Sequence, residues 1–142
     1  MVRKITRLAI CFAAGLFAIT LGVNAFAADE KKAEKALSIE EIMKPSFGGK
    51  NSLQKKIAAA TKAEKWEDAQ KAATELKTLG AGLGKNETPK GDAASWKKLS
   101  AKYAEQTADI SAAADKKDLK ATNAALGILG KSCKECHDAH RE

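Results

Sequence analysis

Histidine is scarce in this chain: there are two, at positions 137 and 140. No histidine elsewhere can pair with a serine, cysteine or carboxylate, so no nucleophile-base pair for covalent catalysis is in view. Enzymatic turnover of a substrate is not expected. Aromatic residues make up only 5% of the chain. Basic residues are spread among acidic ones rather than gathered into a patch with aromatic or groove-reading elements, which removes the case for nucleic acid. No stretch alternates apolar and polar residues with a period of two, so strands are not expected. There is neither an internal repeat nor a low-complexity tract.

Long apolar runs are also lacking, with one exception. Leu8 to Val23 is 16 residues of almost wholly apolar sequence, short of the roughly 20 that span a bilayer. It follows Arg3, Lys4 and Arg7 with no acidic residue between, and leads to Ala25-Phe26-Ala27. This is the layout of a secretory signal peptide, residues 1–27, cleaved between Ala27 and Ala28. Cys11 lies in the apolar run behind the bulky Ile10 and reads as an ordinary signal residue rather than a lipidation site. The expectation is an exported, periplasmic protein with no membrane span after cleavage. Its mature chain, 28–142, has the size of one domain. Without the three signal-peptide cations the 25 basic residues become 22 against 18 acidic, a net charge of +4. Such mild charge suits solvated helix faces.

What remains is rich in Ala, Lys, Glu and Leu, and its apolar residues recur at helical spacing. Ser38-Ile39-Glu40-Glu41 is a capping box. It starts a first helix whose seam runs through Ile39, Ile42 or Met43, then Leu53, Ile57 and Ala60. Pro45 and Gly48-Gly49 predict a kink or short break in it. A second helix is expected over about Lys65 to Leu79, ended by Gly80, Gly82 and Gly84. A third begins near Asp92 and buries Trp96, Leu99, Tyr103, Ile110 and Ala113. A fourth begins at Asp118 and buries Leu119, Leu126, Leu129, Cys133 and Cys136. Short connections between four amphipathic segments predict an all-α, antiparallel four-helix bundle. Alanine-rich packing leaves room that a large flat cofactor would fill.

The chemistry is concentrated in Cys133-Lys134-Glu135-Cys136-His137. CxxCH is the attachment signature of c-type haem. Residues three apart share a helix face, so both sulfurs can bond one porphyrin edge while His137 reaches the iron as proximal ligand. One covalently bound haem c on the last helix is therefore expected. Competing readings are weaker. A disulfide is strained at this spacing in a helix, and a thioredoxin-type pair needs a preceding strand. A zinc site from Cys133, Cys136, His137 and His140 would draw all four ligands from one helix.

Gly130-Lys131-Ser132-Cys133-Lys134-Glu135-Cys136-His137-Asp138-Ala139-His140-Arg141 closely resembles the C-terminal signature of the cytochrome c-prime family. Ile110 to Asp115 with Asp118-Leu119 looks like the same family's third-to-fourth helix connection. The likeness is good from Gly91 to Arg141 and looser from Ser38 to Leu79. It implies a four-helix bundle with haem near the C-terminus, and homodimers through the first two helices are common among such proteins. The family holds two kinds of member: open five-coordinate iron that binds nitric oxide or other small gases, and low-spin electron carriers with a first-helix methionine as sixth ligand. Met43, the sole methionine after the signal, is similar in position to that ligand, although Pro45 and Gly48-Gly49 disturb the helix that would aim it. A core methionine filling a gap is the competing reading. The favoured function is single-electron transfer between protein redox partners; the alternative is gas binding or scavenging. His140 cannot reach the opposite haem face and reads as an exposed surface histidine. Arg141 corresponds to a basic residue on the family's proximal side, placed to tune the imidazole or pair with a propionate; a solvated terminal arginine is as good a reading. Phe47, Trp66, Trp96 and Tyr103 read as core, with one or two against the porphyrin.

Overall fold

The computed structural model describes residues 36–141, so the predicted signal peptide lies outside the described residues. Five α-helices follow in order: α1 Ile39–Phe47, α2 Leu53–Lys62, α3 Trp66–Leu83, α4 Ala93–Asp115 and α5 Leu119–His140. No strand occurs among the described residues, and none of these helices is long and apolar enough to cross a membrane.

Three of the five helix starts have a side-chain cap. The Ser38 hydroxyl accepts from the Glu41 amide while the Glu41 carboxylate accepts from the Ser38 amide, a complete capping box. Asp92 accepts from the Ser95 amide at 2.7 Å and Asp118 from the Ala121 amide at 2.8 Å, capping α4 and α5. The first predicted helix is divided as its composition required. Pro45 removes a donor within α1, Gly48 closes it, and Gly49 turns with φ +70, in the left-handed region that glycine adopts without strain. Together α1 and α2 fill the place of one bundle helix. α3 packs against α2 and α4, α4 against α5, and α2 against α5, while α1 lies over α3 and α2.

Two findings differ from the sequence reading. The glycines do not end the second bundle helix at Leu79: α3 continues through Gly80 and Gly82 to Leu83, with Gly84 as its cap. Gly80 is buried, and a Cβ there would lie 2.2 Å from Thr107 Oγ1 on α4. Its role is to let two helices approach, not to stop one. Gly80→Ala would gain up to about 1 kcal/mol of helix propensity. It would also drive a methyl into a fully buried, β-branched neighbour, and overpacking costs about 1–3 kcal/mol or more. A net loss of about 2 kcal/mol is expected, measurable as a lower urea midpoint. Leu119, expected in the core, is 44% exposed because it is the first residue of α5 and the chain leaves the bundle there.

The core forms two clusters. One joins Leu53 and Ile57 of α2, Ala72, Ala73 and Leu76 of α3, Ile110 and Ala114 of α4, and Leu126 and Leu129 of α5. The other is smaller: Ile42, Leu83 and Trp96, with Ile39, Met43, Leu79, Tyr103 and Cys136 packed against it. It borders the main cavity.

Candidate haem site

Cys133 and Cys136 stand one turn apart in the C-terminal half of α5, both half-buried and both free thiols. The Cys133 thiol donates to Leu129 O at 3.4 Å, back along its own helix. Burial pushes both thiols above their ordinary pKa; for Cys136 the neighbouring Cys133 and Glu135 push in the same direction. Reactive redox pairs have lowered thiol pKa values, so this environment opposes the thioredoxin-type reading. His137 follows on the exposed side of the helix and borders the same space as the two sulfurs.

That space is a cavity of about 1090 Å³, at the upper end of ordinary ligand pockets. α5 contributes Cys133, Cys136, His137 and His140, with Arg141 just past its end; α4 contributes Trp96, Leu99 and Tyr103; α1 contributes Ile39, Met43 and Phe47. The periodic seam Trp96, Leu99, Tyr103 that the sequence marks as core is thus partly a cavity wall. Phe47 meets Tyr103 edge-on at 6.2 Å between ring centroids. Trp66, at the start of α3, is not part of this wall. Burial raises the Tyr103 phenol pKa, with the nearby Ser46 hydroxyl partly offsetting it, yet the phenol oxygen makes no hydrogen bond. Ser46 itself donates to Ile42 O at 2.7 Å.

The residues fit a covalently held haem. A wide, mostly apolar chamber, two thiols one turn apart on its edge and an imidazole beside them are what a large flat cofactor would complete. Zinc fits poorly. His140 is committed to other partners, and no group of three or more His, Cys, Asp or Glu suited to a metal occurs among the described residues.

His140 is the main correction to the sequence reading. It is only 3% exposed, not a surface histidine. Nδ1 lies 2.7 Å from Lys90 O, Nε2 lies 3.1 Å from Ser95 Oγ, and the ring meets Trp96 edge-on at 5.5 Å. Since a carbonyl only accepts, Nδ1 carries a proton and donates to Lys90 O, while Nε2 shares a hydrogen bond with the serine hydroxyl. Gly91, with φ +79, makes the close approach possible, because a Cβ there would lie 2.7 Å from Ala139 O. Nothing local in the sequence could signal this, since the partners are 45 and 50 residues away. Arg141 is exposed at the C-cap of α5 and borders the cavity.

An all-helical bundle whose last helix presents CxxCH to a large chamber has the site of a c-type haem protein. Residues 91–141 match the family described as Cytochrome C'. Over 51 residues the chain is 47% identical to a protein named Cytochrome c' from Alcaligenes xylosoxydans xylosoxydans, covering 36% of this chain and 40% of that relative. The matched segment, 91–141, contains α4, α5 and the attachment motif. The chain spans less than half the length of the curated relative it matches. No solved structure matches it.

Proposed function

We propose that this protein is an exported monohaem cytochrome that passes single electrons between protein redox partners, with Met43 as the second axial ligand. The supporting observation is that Met43, on α1, borders the same cavity as Cys133, Cys136 and His137, about ninety residues further along the chain. Met43 also packs in the small apolar cluster that includes Cys136.

In this reading Cys133 and Cys136 would hold the haem through thioether bonds, and a His137 ring nitrogen and the Met43 sulfur would be the protein's ligands to its iron. When bound, the haem supplies a metal that changes oxidation state by one electron. Ile39, Leu83, Trp96 and Leu99 give the chamber apolar walls. Keeping the same two ligands in both oxidation states would keep reorganisation small. Methionine ligation raises the reduction potential. Lys102 and Arg141 stand at the rim, where Lys102 pairs with Glu135 at 3.0 Å. Exposed pairs of this kind contribute little to stability, so Lys102 is free to reorganise toward an acidic partner.

The second reading, open iron that binds small gases, draws on the break between α1 and α2. A nine-residue helix interrupted by Pro45 and ending in glycines is a weaker aiming device than a continuous bundle helix. Optical spectra separate the two. Wild-type ferric protein is expected to be low-spin with a charge-transfer band from iron-sulfur ligation, and Met43→Ala to lose that band and turn high-spin. A high-spin wild type that takes up nitric oxide or carbon monoxide without delay would overturn the carrier reading in favour of gas binding.

A further inference from the structure

His140 has no part in the chemistry just proposed, yet it is the best-anchored side chain near the attachment motif. α5 ends at His140, so His137 occupies the last turn of the helix, where unsupported ends fray. Lys134 and Asp138 pair along α5 and tie it to nothing else. Lys102 on α4 reaches back to Glu135, before the last turn. Beyond Glu135, the side-chain hydrogen bonds that leave α5 among the described residues are those of His140, to Lys90 O and to Ser95 Oγ.

The receiving side is equally well fixed. Trp96 Nε1 donates to Asn86 O at 2.8 Å, and the Asn86 amide donates to Leu37 O at 3.0 Å, ahead of α1. The α3–α4 connection is thus a hub for α1, α4 and the end of α5, with His140 as the link to the helix that carries His137. Gly91 is needed for that link to close.

We infer that His140 is a positioning residue: by clasping the last turn of α5 to the α3–α4 connection and the start of α4, it sets the orientation of the His137 imidazole toward the haem. This rests on the reading of His137 as an axial ligand. The ring does so through its two hydrogen bonds, at Nδ1 and Nε2, from the edge of the cavity it shares with His137. Both ring nitrogens are occupied, which also explains why the second histidine of the segment is no ligand itself.

The test uses the matured holoprotein and three variants. His140→Phe keeps a ring against Trp96 but loses both hydrogen bonds; Ser95→Ala removes the partner of Nε2 alone; Ile57→Val lowers stability modestly at a buried site that does not line the cavity. Two readouts are taken: amide hydrogen exchange of residues 137–141, and the hyperfine-shifted haem methyl resonances of the ferric protein, which report the plane of the axial imidazole. With two hydrogen bonds lost, exchange in the last turn of His140→Phe should accelerate on the order of thirtyfold. Its methyl resonances should change their spread or split into more than one set. Ser95→Ala should show a smaller change in the same direction, and Ile57→Val should leave the resonances as in wild type. Faster exchange with unchanged resonances in both His140→Phe and Ser95→Ala would reduce His140 to a stability role and overturn the inference. So would equal changes in Ile57→Val. Failure of the haem reading itself would look different: wild-type protein from a maturing host would carry no haem, with Cys133 and Cys136 both alkylatable.

Discussion

Changing Cys133 and Cys136 together to alanine should abolish covalent haem in a host that matures c-type cytochromes. Denatured wild-type protein should keep the haem mass through organic extraction, and the double variant should lose it completely. Each single variant should keep one thioether and a fraction of the haem. The reason is chemical. Both thiols border the chamber and neither is spent on a disulfide, so no other cysteine among the described residues can substitute. The double variant should also be much less stable, because about 1090 Å³ between α1, α4 and α5 would go without its filler. The α2, α3, α4 and α5 core does not border that space and should hold its helices longest under urea. Hydrogen exchange in the unliganded chain should therefore be fastest in α1, whose packing is on α3 and α2 and over the cavity. Equal covalent haem in the double variant and in wild type would rule out thioether attachment.

Trp96→Ala carries the largest expected stability cost of any single substitution near the site. The side chain is 6% exposed, forms part of the small apolar cluster and walls the cavity. Removing a buried large aromatic costs about 3–5 kcal/mol. The indole also donates to Asn86 O and supports the His140 ring, so truncation leaves a buried carbonyl short of a partner and the clasp without its wall. Against a total of about 5–15 kcal/mol for a domain, a loss of this size leaves a marginal protein. Trp96→Phe separates the two contributions: it keeps most of the packing and loses the hydrogen bond, for a cost of about 0.5–1.5 kcal/mol for the bond plus a smaller packing loss. Urea denaturation of the holoprotein followed by the Soret band and by far-ultraviolet dichroism measures both. A Trp96→Ala midpoint within error of wild type would show that the cavity wall repacks freely.

The proposed Met43 ligand, the cysteine pair and the His140 clasp separate cleanly in such experiments. Met43→Ala alters the spectrum, the cysteine pair alters attachment, and His140 alters the orientation of an attached group. Each observable answers to one part of the site.

Much of this was legible one residue at a time. Local chemistry determined the starts of α1, α4 and α5, since a capping serine or aspartate acts on amides within three residues, and Ser38, Asp92 and Asp118 all do so. The break between α1 and α2 was equally local, because Pro45 lacks a donor and Gly49 takes a positive φ. CxxCH declared its chemistry because thioether attachment needs both sulfurs on one helix face and the imidazole next in line. The glycines after Leu79 misled because a glycine is read from sequence as a stop, whereas Gly80 faces Thr107 on another helix, a contact no local pattern encodes. Leu119 misled for the converse reason: an apolar residue at a helix start points wherever the chain enters the bundle.

By itself, then, the order of residues determined the all-helical architecture, its punctuation and the identity of the attachment motif, all of which depend on interactions within about four positions along the chain. Tertiary structure alone decided that Met43 shares a chamber with Cys133, Cys136 and His137, and that His140 is a buried bridge to Lys90 and Ser95 rather than a solvated side chain. Those outcomes depend on which helix faces meet after packing, and burial is a property of that meeting, not of any segment taken alone.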